Sequence, residues 1–210
     1  MSAVRQPVKV LWLARGVPLP LDAGGRVYTY HLMTALAAAG ADVTFLGIHP
    51  TAATQPTPPA LPAGIDWQTI PAAERPAFPA LLHPLPLVTA RASPPVLVRA
   101  LRALLQARRF DVIVIDAYQA GWALPLAQSL GQGAALVHVA HNFEERLAQD
   151  IARGFRGNPL KRLALEWNAR KIAQLERRLV DASALVVTLT DHDADQLRAL
   201  RPDPAALDTL

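Results

Sequence analysis

Val8-Lys9-Val10-Leu11-Trp12-Leu13-Ala14, the loop Arg15–Asp22, then Ala23-Gly24-Gly25-Arg26 and the run Val27–Ala39 are the residues whose reading decides the fold. The first seven are apolar apart from Lys9 and carry valine early, the pattern of a strand buried on both faces. Pro18 and Pro20 mark a loop. Beyond the glycine pair, Tyr28, Leu32, Ala35, Leu36 and Ala39 fall on one stripe, which predicts a helix, and Gly40 is placed to stop it. Asp42–Ile48 then supplies a second strand. Two glycines where a first strand hands over to a helix let a ligand approach bare backbone amides at the helix's positive end, a place suited to phosphate. Taken alone, the pair reads equally well as a turn before a helix.

Working outward, the same alternation continues. Pro95–Arg108 carries Val96, Leu97, Leu101, Leu104 and Leu105 at helical spacing, and Phe110–Asp116 is a nearly all β-branched strand. Gly121–Leu130 reads as a helix, Ala135–Ala140 as a strand, and Phe143 to about Arg153 as a helix broken at Gly154. Asn158 caps a long helix with Pro159 at its first position and Leu165, Ile172, Leu175 and Leu179 as its core stripe. Ala184–Leu189 is a last strand. Thr190-Asp191-His192-Asp193 opens a final helix as a capping box, with Arg201-Pro202 as its stop. Buried strands alternating with helices predict an α/β fold, a doubly wound parallel sheet of Rossmann-like type with about six strands and helices on both faces.

Residues 50–95 differ in texture, holding twelve of the nineteen prolines. Such density excludes long helices and central strands, yet the segment is too apolar for a linker and is expected to wrap the domain surface. Ile65–Ile70 is the one short strand it accommodates, with Trp67 toward the core.

At 210 residues the chain suffices for one large domain with a well-buried core. It has no cysteine, which removes disulfides, thiolate metal sites and thiol nucleophiles and fits a cytoplasmic setting. Residues 1–7 do not read as a signal peptide, and prolines or charges interrupt every apolar run before bilayer-spanning length. The net charge is +4, but Arg146, Arg153, Arg156, Lys161, Arg162, Arg170, Lys171, Arg177 and Arg178 cluster in the last third. That cluster reads first as a solvated helical face, and second as a surface attracting anionic lipid headgroups or a phosphorylated substrate. With no interleaved aromatics to stack on bases, nucleic acid is not an expected partner.

In a doubly wound sheet, ligands bind beyond the carboxyl ends of the strands. Three loops converge on that edge: the one with Gly24-Gly25, the one with Asp116, Tyr118 and Gln119, and the one with His141, Asn142, Glu144, Glu145 and Arg146. Neither a Gly-x-Gly-x-x-Gly fingerprint nor a Walker loop is present. His138, inside a strand, reads as a satisfied core histidine. His141, just past the strand's end, is placed to bond a sugar hydroxyl or a phosphate near neutral pH. Asp191, His192, Asp193 and Asp195 have the residue types of a metal site, but the capping box accounts for them.

Lys9–Ala14, Pro18–Asp22, Gly24-Gly25-Arg26 and Tyr30-His31-Leu32 together resemble the start of the family 4 glycosyltransferases of GT-B fold. His141-Asn142-Phe143-Glu144-Glu145-Arg146 is similar to the His-Asn-x-Glu-x-Arg stretch of that group, and Glu176–Ser183 with Val186–Asp193 resembles the close of its first domain. The resemblance implies an N-terminal, acceptor-side domain over residues 1–201, an interdomain linker starting at 202–210, and a donor-binding domain beyond Leu210 that this chain lacks. It implies metal-free transfer of a sugar, with retention, from a nucleotide-sugar to a glycan or lipid-linked acceptor, no cofactor, and inactivity of the chain alone. Gly24 and Gly25 would then approach the donor diphosphate, and His141, as the catalytic residue, would sit beside the transferred sugar. Asp22, Arg26, Tyr118, Asn142 and Arg146 would be substrate or cleft contacts. The cytoplasm is the expected location, with peripheral contact at an anionic inner membrane face. The alternative is a stand-alone Rossmann-type module that binds a nucleotide or phosphate without catalysis.

Overall fold

In a computed structural model, which describes residues 6–49 and 64–200, six strands form one parallel sheet in the order 3-2-1-4-5-6. They are β1 (Lys9–Gly16), β2 (Asp42–His49), β3 (Ile65–Pro71), β4 (Val112–Asp116), β5 (Ala135–Ala140) and β6 (Leu185–Thr188). The helices are α1 (Gly24–Ala38), α2 (Ala77–Leu81), α3 (Leu87–Arg91), α4 (Pro95–Ala107), α5 (Leu124–Leu130), α6 (Glu144–Gly154), α7 (Pro159–Ala182) and α8 (Asp191–Arg198). The chain starts in the middle with β1, builds outward through β2 and β3, then returns to lay β4 on the other flank of β1. That reversal opens a crevice beyond the carboxyl ends of β1 and β4.

Alternation along the strands splits the core between two faces. Leu11, Leu13, Ile113 and Ile115 point one way and pack with Leu97, Leu101 and Leu105 of α4 and Ile172, Leu175 and Leu179 of α7. Val10, Trp12, Val43, Phe45 and Val114 point the other way, against Met33 and Ala37 of α1. Ala140, Val180, Val186 and Leu197 close the far edge under α8. Strands covered on both sides lose their polar alternation, which is why they read as continuous apolar runs.

The expected elements are present, with shifts at their ends. The proline-rich segment yields edge strand β3 and the short helices α2 and α3, and its residues 50–63 lie outside the described residues, as do 201–210 with the expected Arg201-Pro202 stop and linker. Trp67 is half-buried and stacks on Phe45 at 4.5 Å. The helix expected over Gly121–Leu130 is instead a 3-10 turn, Tyr118–Ala123, running into α5. The tight turn brings Gly121 against α7, where a Cβ would stand 3.0 Å from the Leu175 side chain. Asn158 caps α7 as expected, its Oδ1 accepting from the Leu160 N–H at 2.8 Å, but Leu165 is only half-buried. Among the described residues no helix is long and apolar enough to cross a membrane.

His138 is a core histidine. Its Nδ1 bonds the Ile115 carbonyl at 3.0 Å, and complete burial pushes its pKa down to about 4 against the help of that bond. The folded state holds the ring neutral while an unfolded chain protonates it near 6.5, so stability falls as pH drops from 6.5 toward 4. Between pH 7 and pH 5 we expect His138 to account for a loss of about 2 kcal/mol in urea unfolding. His138→Asn, which keeps an N–H toward Ile115, should flatten that slope.

Candidate functional site

The crevice at the switch point is organised around Asp116, the last residue of β4. Its carboxylate is buried and receives three side chains from three other elements. Trp12 Nε1 of β1 donates to Oδ2 at 2.9 Å, Thr29 Oγ1 of α1 donates to the same oxygen at 2.6 Å, and His141 Nε2 lies 2.7 Å from Oδ1. A carboxylate accepts only, so Nε2 carries a hydrogen, and the other ring nitrogen, Nδ1, has no hydrogen-bond partner among the described residues. Burial is repaid by these bonds, since an unpaired carboxylate here would cost several kcal/mol.

Nδ1 faces the first turn of α1. A Cβ on Gly25 would stand 2.7 Å from it, while nothing lies within 4 Å of a Cβ on Gly24. The two glycines therefore differ: Gly25 is small because His141 packs on it, and Gly24 is exposed with open space where a Cβ would stand. Tyr28 meets the imidazole edge-on, with ring centroids 6.0 Å apart. No side chain caps α1 and its first turn carries no acid.

Two opposing effects set the His141 charge. Burial lowers its pKa, but the hydrogen bond to Asp116, the Asp116 charge and Glu144 outweigh it and hold the value above 6.5. When the ring is protonated, Nδ1 also carries a hydrogen and becomes a donor. The stabilisation this pair adds is complete below about pH 6.5 and fades as pH rises through the folded value.

Backbone strain sits beside the same carboxylate. Ala117 has φ 57° and ψ 162°, a region kept almost wholly for glycine, and its N–H bonds the Val139 carbonyl at 2.8 Å. The distorted residue turns the chain away directly after Asp116, leaving the carboxylate at the strand end.

The start of α6 is held by acids from elsewhere. Glu176 of α7, buried, accepts from the Glu144 and Glu145 N–H groups at 2.8 Å each, and Asp193 of α8 accepts from the Phe143 N–H at 3.1 Å. Burial pushes the Glu176 pKa up to about 7, opposed by those two bonds. Since α6 follows His141-Asn142 directly, these caps fix the histidine loop.

Of the residues singled out from sequence, the structure brings Gly25 and His141 into contact. Asp22 and Arg26 pair with each other at 2.8 Å at the start of α1. Asn142 is exposed, its Nδ2 donating to Glu144 at 3.3 Å. Arg146 is exposed in α6, 3.8 Å from Asp150. Tyr118 is buried in the core, where desolvation drives its pKa to about 12. Near α8, Asp193 takes part in the cap, its N–H donating to Thr190 Oγ1 at 3.1 Å, and Asp195 pairs with Arg198 at 2.7 Å. From sequence, Asp116 reads only as a loop residue. Its role was not legible because its partners are 25, 87 and 104 positions away.

Residues 23–210 match the glycosyl transferase 4-like domain, and the chain belongs to that family. No curated protein matches it by sequence. Among solved structures it is similar to a UDP-glucose: anthocyanidin 3-O-glucosyltransferase in complex with UDP, at 16% identity and a TM-score of 0.58, over 98% of this chain and 53% of that one. It is also similar to the catalytic domain of starch synthase IV from Arabidopsis thaliana bound to ADP and acarbose, at 16% identity and TM-score 0.54, over 92% and 47%. A UDP-N-acetylglucosamine 2-epimerase described as putative, from Listeria monocytogenes, matches at 15% identity and TM-score 0.50, over 96% and 44%. The chain thus spans about half the length of these structures, and the likeness defines its fold as half of a GT-B architecture.

Two expectations test the site. Gly25→Ala should cost roughly 1–3 kcal/mol in thermal or denaturant unfolding, because the methyl collides with a ring already fixed by Asp116; Gly24→Ala should leave stability within about 0.5 kcal/mol. In an NMR titration, His141 should have its midpoint above 6.5, and Asp116→Asn should move it below 6.5 as burial becomes the dominant influence.

Proposed function

We propose that this domain forms the acceptor-side wall of the cleft in a retaining glycosyltransferase that moves a sugar from a nucleotide-sugar to a glycan or lipid-linked acceptor. The observation that supports it most is the His141 arrangement: an imidazole oriented by a buried carboxylate, with its free nitrogen over the first turn of α1. Family membership supports sugar transfer in general, and two of the similar structures hold a nucleoside diphosphate.

In this reading the diphosphate of the donor lies near Gly24 and the uncapped start of α1, and the sugar lies against His141. As the bond from sugar to diphosphate breaks, negative charge grows on the departing phosphate oxygens. The backbone dipoles of α1 are preorganised to favour that charge. His141 Nδ1 bonds a sugar hydroxyl, while Asp116 keeps the ring in place through Nε2. Asp22, Arg26 and Asn142 line the approach, Arg146 stands a turn further along α6, and buried Tyr118 acts through shape. The reading calls for no metal or cofactor. Cytoplasmic location belongs to the same proposal, and transfer is expected of a two-domain protein rather than of the 210-residue chain by itself.

Two measurements check this. In the chain itself, UDP should shift the amide resonances of Gly24–Val27 and His141–Asn142; shifts confined to the opposite edge of the sheet would overturn it. In a protein that carries both domains, His141→Ala should lower kcat and kcat/KM together by about 10²-fold or more, the loss of one preorganised donor. Retention of full kcat would remove His141 from the reaction.

A further inference from the structure

The first half of α7 leaves one apolar stripe exposed. Leu160, Leu163 and Trp167 are 76%, 63% and 43% exposed and share a face at helical spacing. Further along the same face the stripe is covered: Lys171 is buried and donates to the carbonyls of Leu81 at 2.9 Å and His83 at 2.7 Å, with its ammonium 3.6 Å from the Trp167 ring. The segment covering it carries two more exposed apolar residues, Phe78 and Leu82. Leu160, Leu163, Ala164 and Trp167 line an open groove of ≈ 360 Å³ with Glu166 and Arg170 on its rim.

The unpaired charge around this patch is positive. Glu166, the single acid lining the groove, pairs with Arg162 at 3.0 Å. Arg156, Lys161 and Arg170 have no carboxylate within ion-pair distance among the described residues. Lys161 instead sits 5.2 Å from the Phe155 ring. A second copy of this chain would bring the same uncompensated cations to the contact and be repelled. Leucine and tryptophan on one face of an exposed helix, flanked by lysine and arginine, match the chemistry of an anionic bilayer surface: acyl chains for the apolar stripe, the headgroup level for the indole, and phosphate for the cations.

We propose that the Pro159–Trp167 end of α7, with Lys161 and Arg170 beside it, docks this domain onto a bilayer bearing anionic headgroups. The surface is independent of the switch-point crevice, so its failure leaves the functional reading above untouched. The test is sedimentation of the 210-residue chain with vesicles. It should bind phosphatidylglycerol–phosphatidylcholine vesicles at least tenfold more tightly than pure phosphatidylcholine ones, and the preference should shrink as salt rises. Leu160→Ser with Leu163→Ser should weaken binding about tenfold or more. Lys161→Glu with Arg170→Glu should do the same and abolish the salt dependence. All four side chains are exposed or face the open groove, and an unchanged thermal melt verifies folding. Absence of binding to anionic vesicles, equal binding to both kinds, or binding indifferent to both double variants each overturns the proposal. So does a dimer in vesicle-free solution that Leu160→Ser with Leu163→Ser dissolves, which would assign the patch to self-association.

Discussion

One buried carboxylate ties together the parts of the sheet that meet at its centre. Asp116 ends β4, and its oxygens take bonds from β1, α1 and the loop after β5. A negative charge at 3% exposure persists only if its acceptor capacity is used. Trp12 and Thr29 therefore do more than fill space: they keep the charge tolerable and leave Oδ1 for His141. The strained Ala117 backbone is the accompanying cost of about 1–3 kcal/mol, held in place by the Val139 carbonyl and the surrounding pairing.

His138 and His141 show how place, not residue type, sets chemistry. Three positions apart at the end of β5, they move in opposite directions from the same starting value. His138 has only a carbonyl partner and complete burial, so it stays neutral. His141 keeps some exposure and gains a carboxylate, so it charges more readily. Two titratable groups driven apart by their surroundings are a mark of a functional site.

The fold was legible in the sequence because its signals are local and repeated. Valine- and isoleucine-rich strands such as Val112–Asp116 alternate with helices bounded by Asn158-Pro159, Gly40 and Thr190, and each signal is readable within a few residues. The 3-10 turn before α5 was not legible, because Gly121 is shaped by Leu175 on a distant helix. The crevice divides the same way. His141 and the glycine pair stand out by their position at strand ends, whereas Asp116 and Glu176 act only through partners brought close by the fold. Glu176 resembles any acid on a long charged helix until its bonds to the start of α6 are visible.

The order 3-2-1-4-5-6 also bears on how the domain assembles in time. β1 is made first but ends in the middle of the sheet, so it finds one neighbour early and the other only after some hundred residues have followed. The bonds from Trp12 and Thr29 to Asp116 span a similar gap, and loop closure of this length makes such contacts slow to form. A chain that has docked β2 and β3 on β1 holds half a sheet with no Asp116, no His141 and one flank of β1 bare. The crevice itself therefore takes shape only once β4 and β5 have joined the sheet.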